Sequence, residues 1–116
     1  DESNFEKLFD AEKSLAILNN FHLVVKNLLA SYTDCYQKKE IKSENEIEKS
    51  VEEKIFRIIE KNSEIKIISD EIGSGIVPFQ RSDRLWREIS GRILVKIAKK
   101  SEKVVRIICG IPNRIK

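Results

Sequence analysis

Apolar residues recur at steps of three and four over most of this chain, the spacing of one face of an α-helix. The longest stripe, Leu15 to Tyr36, predicts an amphipathic helix over about residues 11–38. A second stripe predicts a helix over residues 44–61, which begins at a Ser-x-x-Glu capping box at residues 43–46. Such long helical stripes favour an all-α fold.

Three further helices complete the predicted architecture. A short helix is expected over residues 65–72, because Ile65, Ile68 and Ile72 keep helical spacing, although a strand was the alternative. A helix over residues 80–100 and a last short one over 101–109 follow; the β-branched run in the last one would also suit a strand, but no convincing partner strand is visible. Another capping box occupies residues 3–6. The prediction is about five helices, with a long amphipathic helix near the N-terminus and a basic helix near the C-terminus.

The composition indicates one compact domain. Of the 116 residues, 41% are hydrophobic and eighteen are Ile, against four Gly and two Pro. A chain of this size can bury a core without metal or disulfide support. Abundant Ile and charge with few amides are typical of hyperthermophile proteins, and also of AT-rich genomes. We expect an acidic body over residues 1–72, a joint over 73–79 and a basic part over 80–116.

Charge is sorted along the chain. Residues 1–80 carry a net charge of −5, whereas residues 81–116 carry +8 and hold six of the seven arginines. Dense positive charge is typical of a surface that meets phosphate, and guanidinium groups match phosphate in geometry. A solvated helix face and a docking site for an acidic protein are the alternatives.

The helix predicted over residues 80–100 separates an apolar stripe from its positive charges. Ile89, Ile93 and Ile97 share one face with Trp86, which we therefore expect in the core. Phe79, in the loop ahead, is the better candidate for stacking on a base. The candidate phosphate-binding residues on the other side form the basic arc: Arg81, Arg84, Arg87, Arg92, Lys96 and Lys99.

Catalytic patterns are sparse. His22 is the only histidine, and a lone histidine on a helix is more often structural than catalytic, although a small RNase or toxin with His22 as base is one hypothesis. Cys35 and Cys109 lack metal-ligand spacing and are expected to be buried free thiols. No lysine follows Gly73-Ser74-Gly75, so this is not a Walker-type phosphate loop. We assign no catalytic residue, metal or cofactor, and expect a cytoplasmic protein without a membrane span.

The stretch QRSDRLWREI at residues 80–89 resembles the basic helix of the accessory third subunit of archaeal primase. That subunit lacks an iron–sulfur cluster and is related to the C-terminal domain of the primase large subunit. The resemblance implies that Arg81 and Arg84, with Arg87 or Arg92 beside them, hold the triphosphate of the initiating nucleotide or the nearby template. It also implies partnership with the catalytic and large primase subunits, and with DNA template or RNA primer.

The main functional hypothesis is therefore a non-catalytic, nucleotide-binding accessory subunit of a DNA replication complex. An adaptor whose basic helix docks an acidic protein is the alternative from a different class.

Overall fold

The computed structural model describes residues 17–37, 43–73 and 75–116, with residues 33–37 as backbone only. These parts contain three helices: α1 (Phe21–Gln37), α2 (Glu44–Lys61) and α3 (Arg81–Lys100). Four short strands accompany them: β1 (Ile17–Leu18), β2 (Lys66–Ile67), β3 (Val105–Ile108) and β4 (Ile111–Arg114). The capping box at residues 3–6 and the predicted helical residues 11–16 lie outside the described residues, as does the Cys35 thiol.

A parallel strand pair replaces two pieces of predicted helix. β1 pairs with β2 in the register Ile17 to Lys66, and the Ile68 N–H donates to the Leu18 carbonyl at 2.9 Å. Residues 17–20, which lay inside the first predicted helix, are therefore not helical, and α1 begins at Phe21 after Asn20 turns the chain with φ 55°. The predicted helix over residues 65–72 is wrong, because the apolar run there has a strand partner 49 positions earlier.

An antiparallel hairpin replaces the last predicted helix. β3 pairs with β4, and Cys109 and Gly110 form the two-residue turn between them with φ values of 51° and 76°. Positive φ at both turn positions matches the right-handed twist of paired strands. The β-branched run at residues 104–108 therefore forms a strand, since residues 111–114 supply the partner. Cys109 is exposed, so its predicted burial is wrong as well.

Helices α2 and α3 have the bounds that the sequence patterns predict. The Ser43 hydroxyl accepts from the Glu46 N–H at 3.3 Å and begins α2, which ends at Lys61 as predicted. α3 also has its predicted bounds within a residue. The all-α prediction with five helices is nevertheless wrong, because the described residues combine three helices with two small sheets.

The core lies where α1 packs against both other helices. Its buried members come from all three and from β1: Leu18 on β1, Phe21, Val25, Leu28 and Leu29 on α1, Ile47, Val51 and Ile55 on α2, and Ile89, Ile93 and Ile97 on α3. The expected burial of the α3 stripe is confirmed. Trp86 packs partly buried against this core, also as expected. In the described part of the chain, none of the helices combines the length and apolar character that crossing a membrane requires.

We expect Ile93→Ala to lower the free energy of unfolding by about 2–5 kcal/mol, because it opens a cavity at a fully buried position. Val95→Ala on the same helix should change it by less than about 0.5 kcal/mol, since Val95 is 56% exposed. Urea denaturation of both variants measures the difference. Equal losses would contradict the position of the core.

Candidate functional site

The carboxyl ends of β1 and β2 meet at one edge of the parallel pair. From this edge β2 continues through Asp70 towards the glycine loop, which we define by its described residues, 73 and 75–79. In open sheets with parallel strands, ligands bind at the carboxyl edge, where loops and helix N-termini converge. The glycine loop and the start of α1 therefore form a candidate functional site.

His22 connects this edge to α3. Its Nδ1 accepts from the Asp70 backbone N–H at 3.1 Å, so the ring proton belongs on Nε2, which lies 3.5 Å from the Asp70 carboxylate. Its carbonyl accepts from the Trp86 indole N–H at 2.7 Å. His22 is only 7% exposed. The structural reading of this histidine is confirmed, and a buried ring whose nitrogens face Asp70 is a poor general base for the nuclease hypothesis.

Two arginines of α3 hold the glycine loop by its backbone. Arg84 Nη1 donates to the carbonyls of Pro78 at 3.1 Å and Phe79 at 2.6 Å. Arg87 donates to the carbonyls of Gly73, Gly75 and Ile76. The loop follows the helix at this place because the guanidinium groups satisfy carbonyls that turn residues leave unpaired.

A cleft of about 400 Å³ lies between the glycine loop and α3. The loop wall includes Gly73 and Val77, and the helix wall includes Arg84, Arg87, Gly91 and Arg92. Three members of the basic arc therefore face one concave surface. This cleft brings together part of the predicted site.

Arg84 and Arg87 are not ion-paired within the described residues. Both guanidinium groups contact carbonyl oxygens there and no carboxylate. A carbonyl neutralises no formal charge, and the described lining of the cleft sets three arginines, these two and Arg92, against the single carboxylate of Glu88, so positive charge predominates in it. Each guanidinium also has more N–H groups than these bonds use. The arrangement suits an anion that carries several oxygen acceptors.

The rest of the basic arc has other contacts. Acidic side chains of α2 at four-residue intervals pair with it: Arg81 with Glu44 at 2.8 Å, Arg92 with Glu48 at 3.1 Å, and Lys96 with Glu52 at 2.8 Å. Lys99 is exposed, outside the cleft. Phe79 stands in the loop with its side chain in solvent. The arc is therefore not a single surface.

Gly91 lies open in the cleft wall. A glycine inside a helix can allow a tight crossing with a second helix, since it has no Cβ. A Cβ placed at Gly91 would meet nothing within 4 Å, so among the described residues no helix crosses closely at this position. The open position leaves room for a ligand.

Sequence reasoning missed the parts of the site that depend on distant pairing. Nothing in the pattern indicated that His22 would reach Asp70, since 48 positions separate them. The short apolar runs at residues 17–18 and 67–68 carried the only signal, because two such runs ahead of polar residues can pair as parallel strands.

We expect Arg87→Gln to loosen the glycine loop, because it removes a charged donor from three backbone carbonyls. Chymotrypsin should then cleave after Phe79 about tenfold faster, since a hydrogen bond to a charged group contributes about 1.5–3 kcal/mol before solvent screening. Lys99→Gln removes the same charge from the same helix and should leave the cleavage rate unchanged. Equal rates for wild type and Arg87→Gln would exclude the anchoring role.

Comparison with known proteins corrects the primase resemblance. The family model described as cobinamide kinase / cobinamide phosphate guanyltransferase, CobU, matches residues 2–115. The bifunctional adenosylcobalamin biosynthesis proteins CobU of Salmonella typhimurium and Escherichia coli are each 33% identical over 54 residues, which is 47% of this chain and 30% of each relative. The chain thus aligns with about a third of the length of these relatives.

The comparisons overturn the DNA replication hypothesis. The expected primase partners, template and accessory role depended on a helix of general basic character, whereas the family match extends over nearly the whole chain. The family match does not support the adaptor or the nuclease alternative either. The expected non-catalytic role is also wrong, because the family is described by two enzyme activities. This chain belongs to the CobU family.

Proposed function

We propose that this chain supplies a phosphate-binding cleft to a CobU-type enzyme of adenosylcobalamin synthesis. The observation that carries the proposal is a pair of guanidinium groups, Arg84 and Arg87, in the wall of a cleft of about 400 Å³; among the described residues they contact carbonyls and no carboxylate. The ligands we expect are a nucleoside triphosphate and a corrinoid phosphate, in place of primase subunits and DNA. The cytoplasmic location expected from the sequence stays a prediction.

The chemistry of the family requires cationic groups of this kind. A kinase moves a phosphoryl group from a nucleoside triphosphate, and a guanyltransferase moves a guanylyl group from GTP to a phosphate. Both transfers gather negative charge on phosphate oxygens, which preorganised arginines stabilise. Arg84 and Arg87 are preorganised here because the carbonyls of the glycine loop already hold them.

The mode of binding differs from that of a Walker loop. The glycine loop has no lysine after Gly75, and its carbonyls point toward the arginines instead of its N–H groups surrounding a phosphate. We therefore assign the positive charge of the cleft to α3, with Arg92 at its rim. Arg81 and Lys96 serve mainly to pair with α2.

We expect Arg84→Gln to weaken binding of GTP to the full-length protein by about ten- to hundredfold, the size of a lost charge-assisted contact. Lys99→Gln is the control, because it removes one positive charge from α3 outside the cleft. Isothermal titration calorimetry measures both. If the two variants lose affinity equally, the long-range field of the helix is responsible and the cleft is not the site.

The shape of the cleft can be tested with both arginines left in place. Gly91→Leu should keep the fold, because leucine is a good helix former and the position is open, but its side chain should obstruct the cleft. We expect GTP affinity to fall about tenfold or more, against a small change for Gly91→Ala. A Gly91→Leu protein that is stable and binds GTP normally would contradict the proposed site.

A further inference from the structure

His22 holds the backbone of Asp70 through a ring nitrogen that must carry no proton. Nδ1 of the ring accepts from the Asp70 backbone N–H at 3.1 Å, and a protonated nitrogen cannot accept a hydrogen bond. The His22 side chain is buried, so water does not readily replace this acceptor. The bond to the Asp70 backbone therefore exists only while the imidazole is neutral.

The groups that surround the ring allow it to take a second proton. From the segment after β2, the Asp70 carboxylate lies 3.5 Å from Nε2 and can pair with an imidazolium. On α1 itself, Lys26 lies one turn further on, with its ammonium 4.7 Å from the centre of the Trp86 ring. From α3, Trp86 donates its indole N–H to the His22 carbonyl and brings no charge. Within the described residues, the charged group in contact with the ring is therefore the Asp70 carboxylate.

Protonation of the ring would exchange one contact with Asp70 for another. A proton on Nδ1 would face the Asp70 backbone N–H, and two donors repel each other. The imidazolium would pair instead with the Asp70 carboxylate, whose side chain is 84% exposed and has room to turn. The charged ring would thus keep the side chain of Asp70 and release its backbone.

The part of the chain that would be released begins after Ile68. The Ile68 N–H donates to the Leu18 carbonyl at 2.9 Å, and the Ile68 carbonyl accepts from the Phe21 N–H at 3.0 Å. These bonds join backbone groups, which do not titrate. The bond from Asp70 to His22 comes next, three positions before Gly73. The glycine loop beyond is held by arginines, whose guanidinium groups stay charged in proteins.

We propose that His22 is a pH-sensitive latch, which holds the segment leading into the glycine loop at neutral pH and releases it in mild acid. Histidine side chains change charge between about pH 8 and pH 5, whereas carboxylates stay ionised over most of this range. The direction follows from the acceptor, because the neutral ring holds the Asp70 backbone and the charged ring does not. Release loosens the loop wall of the cleft and leaves β1 and β2 paired. The inference depends on the geometry around His22 and not on the ligand of the cleft.

Hydrogen exchange on the full-length protein tests the latch. The protection factor of the Asp70 amide is measured at about pH 8 and about pH 5.5, on either side of the usual histidine range. We expect it to fall about tenfold in acid, the order expected for one lost hydrogen bond. The Val51 amide, on the buried face of α2, reports global stability and should keep its protection. The ring signals of His22 in NMR spectra should titrate along the same curve as the loss at Asp70.

Two variants of His22 separate the acceptor from its titration. His22→Gln supplies a side-chain carbonyl that accepts a hydrogen bond and does not titrate, so its Asp70 amide should stay protected at both pH values. His22→Leu supplies no acceptor, so its Asp70 amide should be about tenfold less protected at both. The wild type should resemble His22→Gln near pH 8 and His22→Leu near pH 5.5.

Three results would overturn the proposal. Equal protection of the wild-type Asp70 amide at both pH values would mean that the ring holds the backbone in either charge state. A loss in acid for His22→Gln as large as that of the wild type would assign the effect to another titrating group. An equal loss at Val51 and Asp70 would mean that acid unfolds the whole domain, so that no local latch exists.

Discussion

Burial of one apolar stripe on α3 determines where every other side chain of that helix points. Ile89, Ile93 and Ile97 pack into the common core with α1 and α2. At 100° per residue, they share a sector of about 80° around the helix axis. The remaining surface of the helix divides into two further sectors that do not face the core. Arg81, Arg92 and Lys96 lie to one side and reach α2, whereas Arg84, Arg87 and Gly91 lie opposite the core and face the glycine loop. Burial of this one stripe therefore divides the basic residues of α3 between two surfaces.

The two basic surfaces differ in what their charge can do. The pairs between α2 and α3 lie at the protein surface, and exposed pairs of this kind contribute about 0–1 kcal/mol each. Through these three pairs, part of the acidic half of the chain meets part of its basic half within one molecule. Arg84 and Arg87 instead donate hydrogen bonds to backbone carbonyls. Their formal charge is therefore the part of the basic arc that a phosphate can still use.

A continuous set of hydrogen bonds connects the strand pair to the cleft. The Ile68 N–H donates to Leu18 and aligns the ends of β1 and β2, after which Asp70 donates to His22. His22 in turn accepts from Trp86, one position before Arg87. Asp70 is thus bound to α1, and the glycine loop that follows it is bound to α3. The two walls of the cleft are therefore already fixed relative to each other by hydrogen bonds before a substrate contacts them.

Local periodicity was sufficient for α2 and α3, because an amphipathic helix with a capping residue specifies its own ends and its buried face. The same reasoning placed Arg84, Arg87 and Phe79 near one another, since they lie within a few turns of one element. It failed for residues 17–18, 65–72 and 104–114, where a short apolar run becomes a strand only if another run pairs with it. Pairing over long separations is a property of the tertiary structure and leaves little trace in either segment alone. For the same reason the sequence could mark the arginines as cations, but only the folded chain decided that some meet carboxylates and two meet carbonyls beside an open cleft.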